Sequence, residues 1–495
     1  MTTHPPDNFQ RTLPKPIPHN HIPHLYLVIY GILLVSWTLA LSLHTPMSAD
    51  HVYLLSPALS LLRGDFLRST FAHPAFDPYV FPYLYSLVTA PLVSLTKNAL
   101  VTPYVISLIL VIILCSVTYL YLKKHNTHIS IVVLCVGLMI SNTYFWRGRT
   151  EVLATAFLIG VLLALQDSKQ DKFGFGSLIW ASIFVTCSSL LHPISGVIGF
   201  LLVFSIFVDE LSLKSALQQF LIFFILVTLF LAVTYGPVAL ADISHFLSSY
   251  TRFIDGQPRS SNLLKIFQYF LIAPGVFFVF LWLFVIDLRQ KKKVQFVMGQ
   301  LRHEIILFLP SLIFLVLQGT SYYVPLITVL LVWRVSQYGR AHIPWNLVVF
   351  LLFVSPMFSH YVPTVQTLEN PQYGKTIVEG IKLTEQQIGD NPTNNRYWIS
   401  PALGMVSLST HNVHLFSNLV LKYFSSRELR AGDTIFFTFS SEQGWIDRFL
   451  DAEKYDYETK VLIPESNGLL TLDSLFRDRS SGVGLWKAVI VDKPK

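Results

Sequence analysis

HTPMSADHVYLLSPALSLLRGDFLRSTFAHPAFDPYV, residues 44–80, is a polar, turn-rich stretch set between long apolar runs. It brings Asp50, His51, Asp65, His73 and Asp77 close to segments that carry almost no charge, and Asp50 follows the uncharged run 25–43 by a few residues. An ionisable side chain at the edge of a bilayer is costly and reads by default as part of a functional site. The stretch is therefore read as the catalytic loop of a membrane enzyme.

Working outward, the whole chain fits that setting. Of its 495 residues 52% are hydrophobic and only 13% charged, about half the charge of a typical soluble domain. Uncharged apolar runs of roughly 17–25 residues follow one another, the length that crosses a bilayer. The class is a polytopic α-helical membrane protein. A polar Pro- and His-rich tail of over 20 residues precedes the first run, so no secretory signal is expected there. Cys115, Cys135 and Cys187 all fall inside apolar runs, which gives no reason to expect a structural disulfide. The net charge of +7 is assigned to loops that orient the protein rather than to a nucleic-acid partner.

The apolar runs read as spans at 25–43, 99–122, 129–145, 151–166, 175–190, 194–208, 217–236, 264–286, 303–318, 323–335 and 344–359, eleven crossings in all. The run 80–95, which contains Pro82 and Pro91, is read as interfacial. With that choice, 14 of the 22 Lys and Arg before residue 360 collect on one side, as the positive-inside rule demands. The tail 1–24 is then cytoplasmic, 25–359 is the membrane domain, and the loop 44–98 faces outward. Residues 360–495 share that outer side. They carry 14 Lys/Arg and 16 Asp/Glu and no membrane-length apolar run. DTIFFTFS and WKAVIVD read as strands and 441–453 and 472–478 as helical turns. The expectation is a small extracytoplasmic α/β domain, since about 135 residues can bury a core of their own.

Three short motifs follow in order on the outer side: FAHPAFDPYVFPYLYSLVTAP (71–91), NTYFWRGRTEVLA (142–154) and HPISG (192–196). With the acidic residue opening the first outer loop, this pattern over residues 25–210 resembles the GT-C superfamily of integral-membrane glycosyltransferases. That superfamily includes the lipid A aminoarabinose transferases, the protein O-mannosyltransferases and the oligosaccharyltransferases. The resemblance implies transfer of a sugar from a polyprenyl-phosphate-linked donor to a lipid, glycan or protein acceptor on the non-cytoplasmic face, with Asp50 at the catalytic position. Many relatives carry two adjacent acidic residues there. Here Asp50 stands between Ala49 and His51, so no metal ligand set and no cofactor is assigned, and a Mg²⁺ or Mn²⁺ requirement is left open.

Each candidate has a plainer alternative. Asp50 is the candidate general base that takes the acceptor proton, and single displacement implies inversion by analogy with glycosidases; otherwise it is a helix N-cap. Arg149 and Arg147 suit bidentate phosphate contact, or they snorkel at a helix end. Glu151 is an orienting partner for one of them or a second catalytic carboxylate. His73 and Asp77 lie where relatives place polar groups near the donor phosphate, or are solvated loop residues. His192, before Pro193 at a membrane edge, needs a polar partner. Arg252 and Arg259 are further phosphate candidates in the loop 237–263, itself a substrate cover or a connector.

The sequence shows no nucleotide-binding fingerprint, which suits a lipid-linked donor at an outward site. The chief rival is a transporter or lipid flippase, whose charges would sit mid-span on broken helices; here they cluster at outer span ends. A bacterial plasma membrane is the expected location.

Overall fold

The structure is a computed structural model. It describes residues 22–42, 83–96, 101–142, 148–166, 168–169, 172–241, 274–279, 324–337, 343–361, 371–389, 396–400, 413–416, 429–451, 453–466 and 483–493, together with scattered single positions. Helices α1 (Ile22–Ser42), α2 (Tyr83–Thr96), α3 (Thr102–Lys124), α4 (Ile129–Ser141), α5 (Thr150–Ala164), α6 (Phe175–Leu191), α7 (Pro193–Glu210), α8 (Leu213–Ala241), α9 (Val324–Gln337) and α10 (Trp345–Val354) form the apolar part. A two-stranded hairpin, β1 (Ser168–Lys169) and β2 (Lys172–Phe173), joins α5 to α6.

Local chemistry sets the helix ends. Pro103 lies in the first turn of α3, where a missing N–H costs nothing. Its C-terminal end carries Lys123 and Lys124, followed by Asn126 in the left-handed region at φ 51°. The ring Nδ1 of His128 then accepts the Ser130 N–H at 3.2 Å and caps α4. At the other end of α4, Asn142 turns extended, so the helix stops short of the expected 145. Conversely, α8 starts before the expected 217, because Ser212 receives the Ser215 N–H, and it runs on through Pro237.

The bundle is inside-out in the way a lipid solvent permits. α4 is buried nearly all round, from Ser130 to Met139. α8 exposes Leu217, Leu221, Phe224, Ile225, Leu229 and Val233, a surface that water would not tolerate at this extent. Glycine allows close approach: a Cβ on Gly199 of α7 would lie 3.0 Å from Val185 of α6 and 3.1 Å from Leu158 of α5. Among the described residues, Thr102–Lys124 and Leu213–Pro237 are each long and apolar enough to cross a membrane, and other apolar helices are shorter. The expected spans 264–286 and 303–318 lie largely or wholly outside the described residues, so the number eleven is not set by them. α2 has 14 residues, about 21 Å at 1.5 Å per residue, short of the hydrocarbon thickness of roughly 30 Å. It buries Tyr85, Ser86, Thr89, Ala90 and Val93 and exposes Leu87 and Leu95.

Beyond α10, a π-helical turn (Met357–Tyr361) leads to α11 (Pro371–Gly389) and a five-stranded sheet. Its strands are β3 (Tyr397–Ile399), β4 (Val413–Leu415), β5 (Thr434–Phe437), β6 (Tyr455–Ser466) and β7 (Val483–Asp492), in the order β4-β3-β5-β7-β6. β4, β3 and β5 are parallel, with Tyr397 opposite both Val413 and Thr434; β7 runs antiparallel to β5 and to β6. Both faces are covered. Ile377, Ile381 and Ile388 of α11 pack with Ile399, Phe436 and Leu485, and Ile446 of α12 (Gln443–Phe449) packs with Trp398, Ile435, Phe437 and Trp486. Hence β5 is buried at every position, as a central strand between helical layers must be. The expected helical turn at 472–478 lies outside the described residues.

Candidate functional site

The site is built where α5 begins. Gly148 holds φ +57°, and a Cβ there would sit 2.9 Å from the Ser107 hydroxyl and 3.4 Å from the Pro103 carbonyl of α3. Glycine is required on both counts. Arg149 follows in extended conformation as the N-cap of α5, without capping through its own side chain. Instead its guanidinium meets Glu151 in the first helical turn. Arg149 Nε donates to Glu151 Oε2 at 3.2 Å and Nη2 donates to Oε1 at 3.0 Å. The Thr150 hydroxyl adds a bond to Oε2 at 3.1 Å. The Glu151 side chain is 1% exposed and that of Arg149 12%. A carboxylate at this place also favours the positive end of α5.

A second element faces this pair. His192 terminates α6, its N–H donating to the Ser188 carbonyl at 3.0 Å, and begins α7, its Nδ1 accepting the Ile194 N–H at 3.3 Å. With Nδ1 an acceptor, the neutral ring carries its proton on Nε2. The Ser195 hydroxyl lies 2.6 Å from both the Ser188 and His192 carbonyls. The Ser188 hydroxyl in turn donates to Ala154 of α5 at 3.4 Å, tying the two elements. Burial holds the His192 imidazole below its ordinary pKa; the Glu151 carboxylate pulls upward and the Arg149 charge pushes down again.

A third element comes from α2. The Tyr85 side chain is buried, and its hydroxyl donates to the Gly148 carbonyl. The starts of α5 and α7, the end of α6 and one face of α2 thus meet around one arginine. Paired with a carboxylate, a guanidinium at a helix start can receive a phosphate or another anion through charge-assisted hydrogen bonds.

Of the residues singled out in the sequence, the structure brings Arg149, Glu151 and His192 together. Asp50, His73, Asp77, Arg147, Arg252 and Arg259 lie outside the described residues. Among the described residues, no group of three or more His, Cys, Asp and Glu is placed to hold a metal ion. Sequence reasoning missed Tyr85, Ser188 and Ser195. Tyr85 is one of three tyrosines within 79–85, and only its burial against Gly148 sets it apart.

No protein-family model and no curated protein matches the chain. The structure is similar to the crystal structure of ArnT from Cupriavidus metallidurans bound to undecaprenyl phosphate, with a TM-score of 0.54 and 11% identity. The match covers 94% of this chain and 98% of that one. The likeness therefore takes in the sheet-bearing segment as well as the bundle, and it places the chain in a polytopic membrane-protein fold.

Proposed function

We propose that this protein is a GT-C-type membrane glycosyltransferase that moves a sugar from a polyprenyl-phosphate-linked donor to an acceptor hydroxyl. The observation that carries the proposal is the fold shared along nearly the whole chain with a protein solved with undecaprenyl phosphate. The buried Arg149–Glu151 pair beside His192 supports it, because it supplies a guanidinium of fixed direction where three apolar helices begin or end. Arg149 contacts the donor phosphate, and Arg147, His73, Asp77, Arg252 and Arg259 are its further candidate contacts. Glu151 receives hydrogen bonds at both carboxylate oxygens, and its part is to hold Arg149 in direction.

In the reaction, the acceptor oxygen attacks the anomeric carbon as the bond to the phosphate oxygen breaks. The phosphate leaves as polyprenyl phosphate and the acceptor proton passes to Asp50, with inversion at carbon. Residues 1–24 are the cytoplasmic tail, 25–359 the catalytic membrane domain and 360–495 the outer domain, in a bacterial plasma membrane.

The test is transfer of radiolabelled sugar from a panel of polyprenyl-phosphate sugars in membranes expressing wild type or Asp50→Asn. Transfer by wild type with a loss of roughly two or more orders of magnitude in Asp50→Asn supports the base role. Equal activity removes Asp50 from the chemistry. No transfer from any donor, with lipid or solute movement in a vesicle assay, replaces the enzyme by a transporter. EDTA followed by Mg²⁺ or Mn²⁺ in the same assay reads out any divalent-cation requirement.

A further inference from the structure

The arginine turn is clasped from two sides. On one side, α3 presents Ser107 and Pro103 so closely to Gly148 that no Cβ fits without displacement. On the other, α2 presents Tyr85, only 2% exposed. A buried phenol hydroxyl needs a partner, and this one spends its hydrogen on the carbonyl of Gly148. That carbonyl belongs to the peptide linking Gly148 to Arg149. Gly148 is in the left-handed region at φ +57° and Arg149 in the extended region at φ −86°, ψ 155°. A glycine of this kind rotates easily about its own backbone bonds, so the turn by itself does not hold the peptide plane. The Tyr85 hydroxyl does.

We infer that Tyr85 is a positioning residue for the anion site: its hydroxyl fixes the Gly148 carbonyl and, with it, the direction in which the Arg149 side chain leaves the turn. The inference rests on the reading of Arg149 as a phosphate contact. It assigns a role to α2, 63 residues away in sequence from the turn it holds. The Glu151 fork fixes the guanidinium end of the side chain and the Tyr85 bond fixes its backbone end. With both ends set, the arginine meets its anion without reorganising.

The experiment uses the full chain in lipid nanodiscs, with undecaprenyl phosphate as the probe and its affinity read by native mass spectrometry. Wild type, Tyr85→Phe, Arg149→Ala and the double variant are compared. Tyr85→Phe keeps the ring and removes only the donor, and a thermal melt checks that each variant is folded. Arg149→Ala is expected to weaken binding at least tenfold, and Tyr85→Phe by roughly tenfold, because an arginine no longer held at its backbone end must be ordered as the anion binds. The double variant should bind no worse than Arg149→Ala alone, because a residue acting through Arg149 has nothing left to position. A merely structural tyrosine would give additive losses. Additive losses, or wild-type affinity in Tyr85→Phe while Arg149→Ala is impaired, overturn the positioning role and leave the phosphate reading standing. Wild-type affinity in Arg149→Ala overturns both.

Discussion

Glu151 meets Arg149 side-on: the Nε and Nη2 nitrogens of the arginine reach separate carboxylate oxygens at 3.2 and 3.0 Å. The two residues are neighbours but one along the chain, so α5 begins with its own ion pair already assembled. A parallel fork of this kind fixes the guanidinium plane as well as its position. That is the property an anion site needs from an arginine and that a lone snorkelling arginine lacks.

Glu151→Ala should therefore do more than remove a carboxylate. It leaves the Arg149 charge buried beside an apolar bundle, a change that costs about 3–5 kcal/mol. Glu151→Gln keeps one acceptor and should lose less. The measurement is thermal unfolding in nanodiscs together with affinity for undecaprenyl phosphate. An activity loss in Glu151→Gln with unchanged lipid affinity would instead assign Glu151 to proton transfer.

Gly148→Ala is expected to destabilise the turn by about 1–2 kcal/mol, from the left-handed backbone and the approach to Ser107 Oγ at 2.9 Å. Adding Ser107→Ala removes the clashing atom and should recover part of the loss, with the backbone term remaining. No recovery in the double variant, measured by the same melt, would show that the contact with Ser107 is not what excludes a side chain.

At the far end of α1, the Thr38 hydroxyl lies 2.6 Å from His360 Nε2, and Trp37 Nε1 donates to Thr364 Oγ1 at 2.6 Å. These bonds attach the π-helical turn after α10, through His360, and the residue Thr364 just beyond it to the first helix. Thr38→Val removes one partly buried hydrogen bond and should cost about 1 kcal/mol. His360→Phe should cost a similar amount. The pair of substitutions should be non-additive, since they break the same bond; additive melting shifts would mean the two residues act separately.

In the sheet-bearing segment, Glu442 is 3% exposed. Its carboxylate accepts the Thr438 and Phe439 N–H groups at 3.0 and 3.1 Å. Those bonds favour the charged form, but burial outweighs them and pushes the carboxyl up to about 7 from 4.5. The folded state then holds a proton that the unfolded state releases between those values. Stability is full below about pH 4.5 and falls as pH rises through 7, by roughly 3 kcal/mol in total. Hydrogen exchange of residues 434–449 in the intact protein, corrected for intrinsic rates, should show weaker protection at pH 8 than at pH 5. Glu442→Gln should flatten that slope.

The membrane class, the apolar helices and the Arg149–Glu151 neighbourhood could be read from the chain directly, because each is local. Apolar run length reports a span, and two residues apart at a helix start can pair only with what is near. Strands β5 and β7 also fall where continuous apolar runs suggested them. β6 is not among the strands expected from the sequence: its YDYETKVLIPES carries Asp456, Glu458 and Lys460 and lacks a continuous apolar run, as an exposed edge strand can.

The sequence by itself determined what solvent this protein lives in and where charge enters the apolar region, since both follow from composition along a single line. Only the tertiary structure decided which polar groups share a site. His192 lies 41 residues from Glu151 and Tyr85 lies 63 from Gly148, and helices apolar on every side carry no stripe that says which face turns inward. Bringing them together took close packing at glycines such as Gly199 and the pairing of buried polar atoms across helices, conditions that exist only once the bundle has formed.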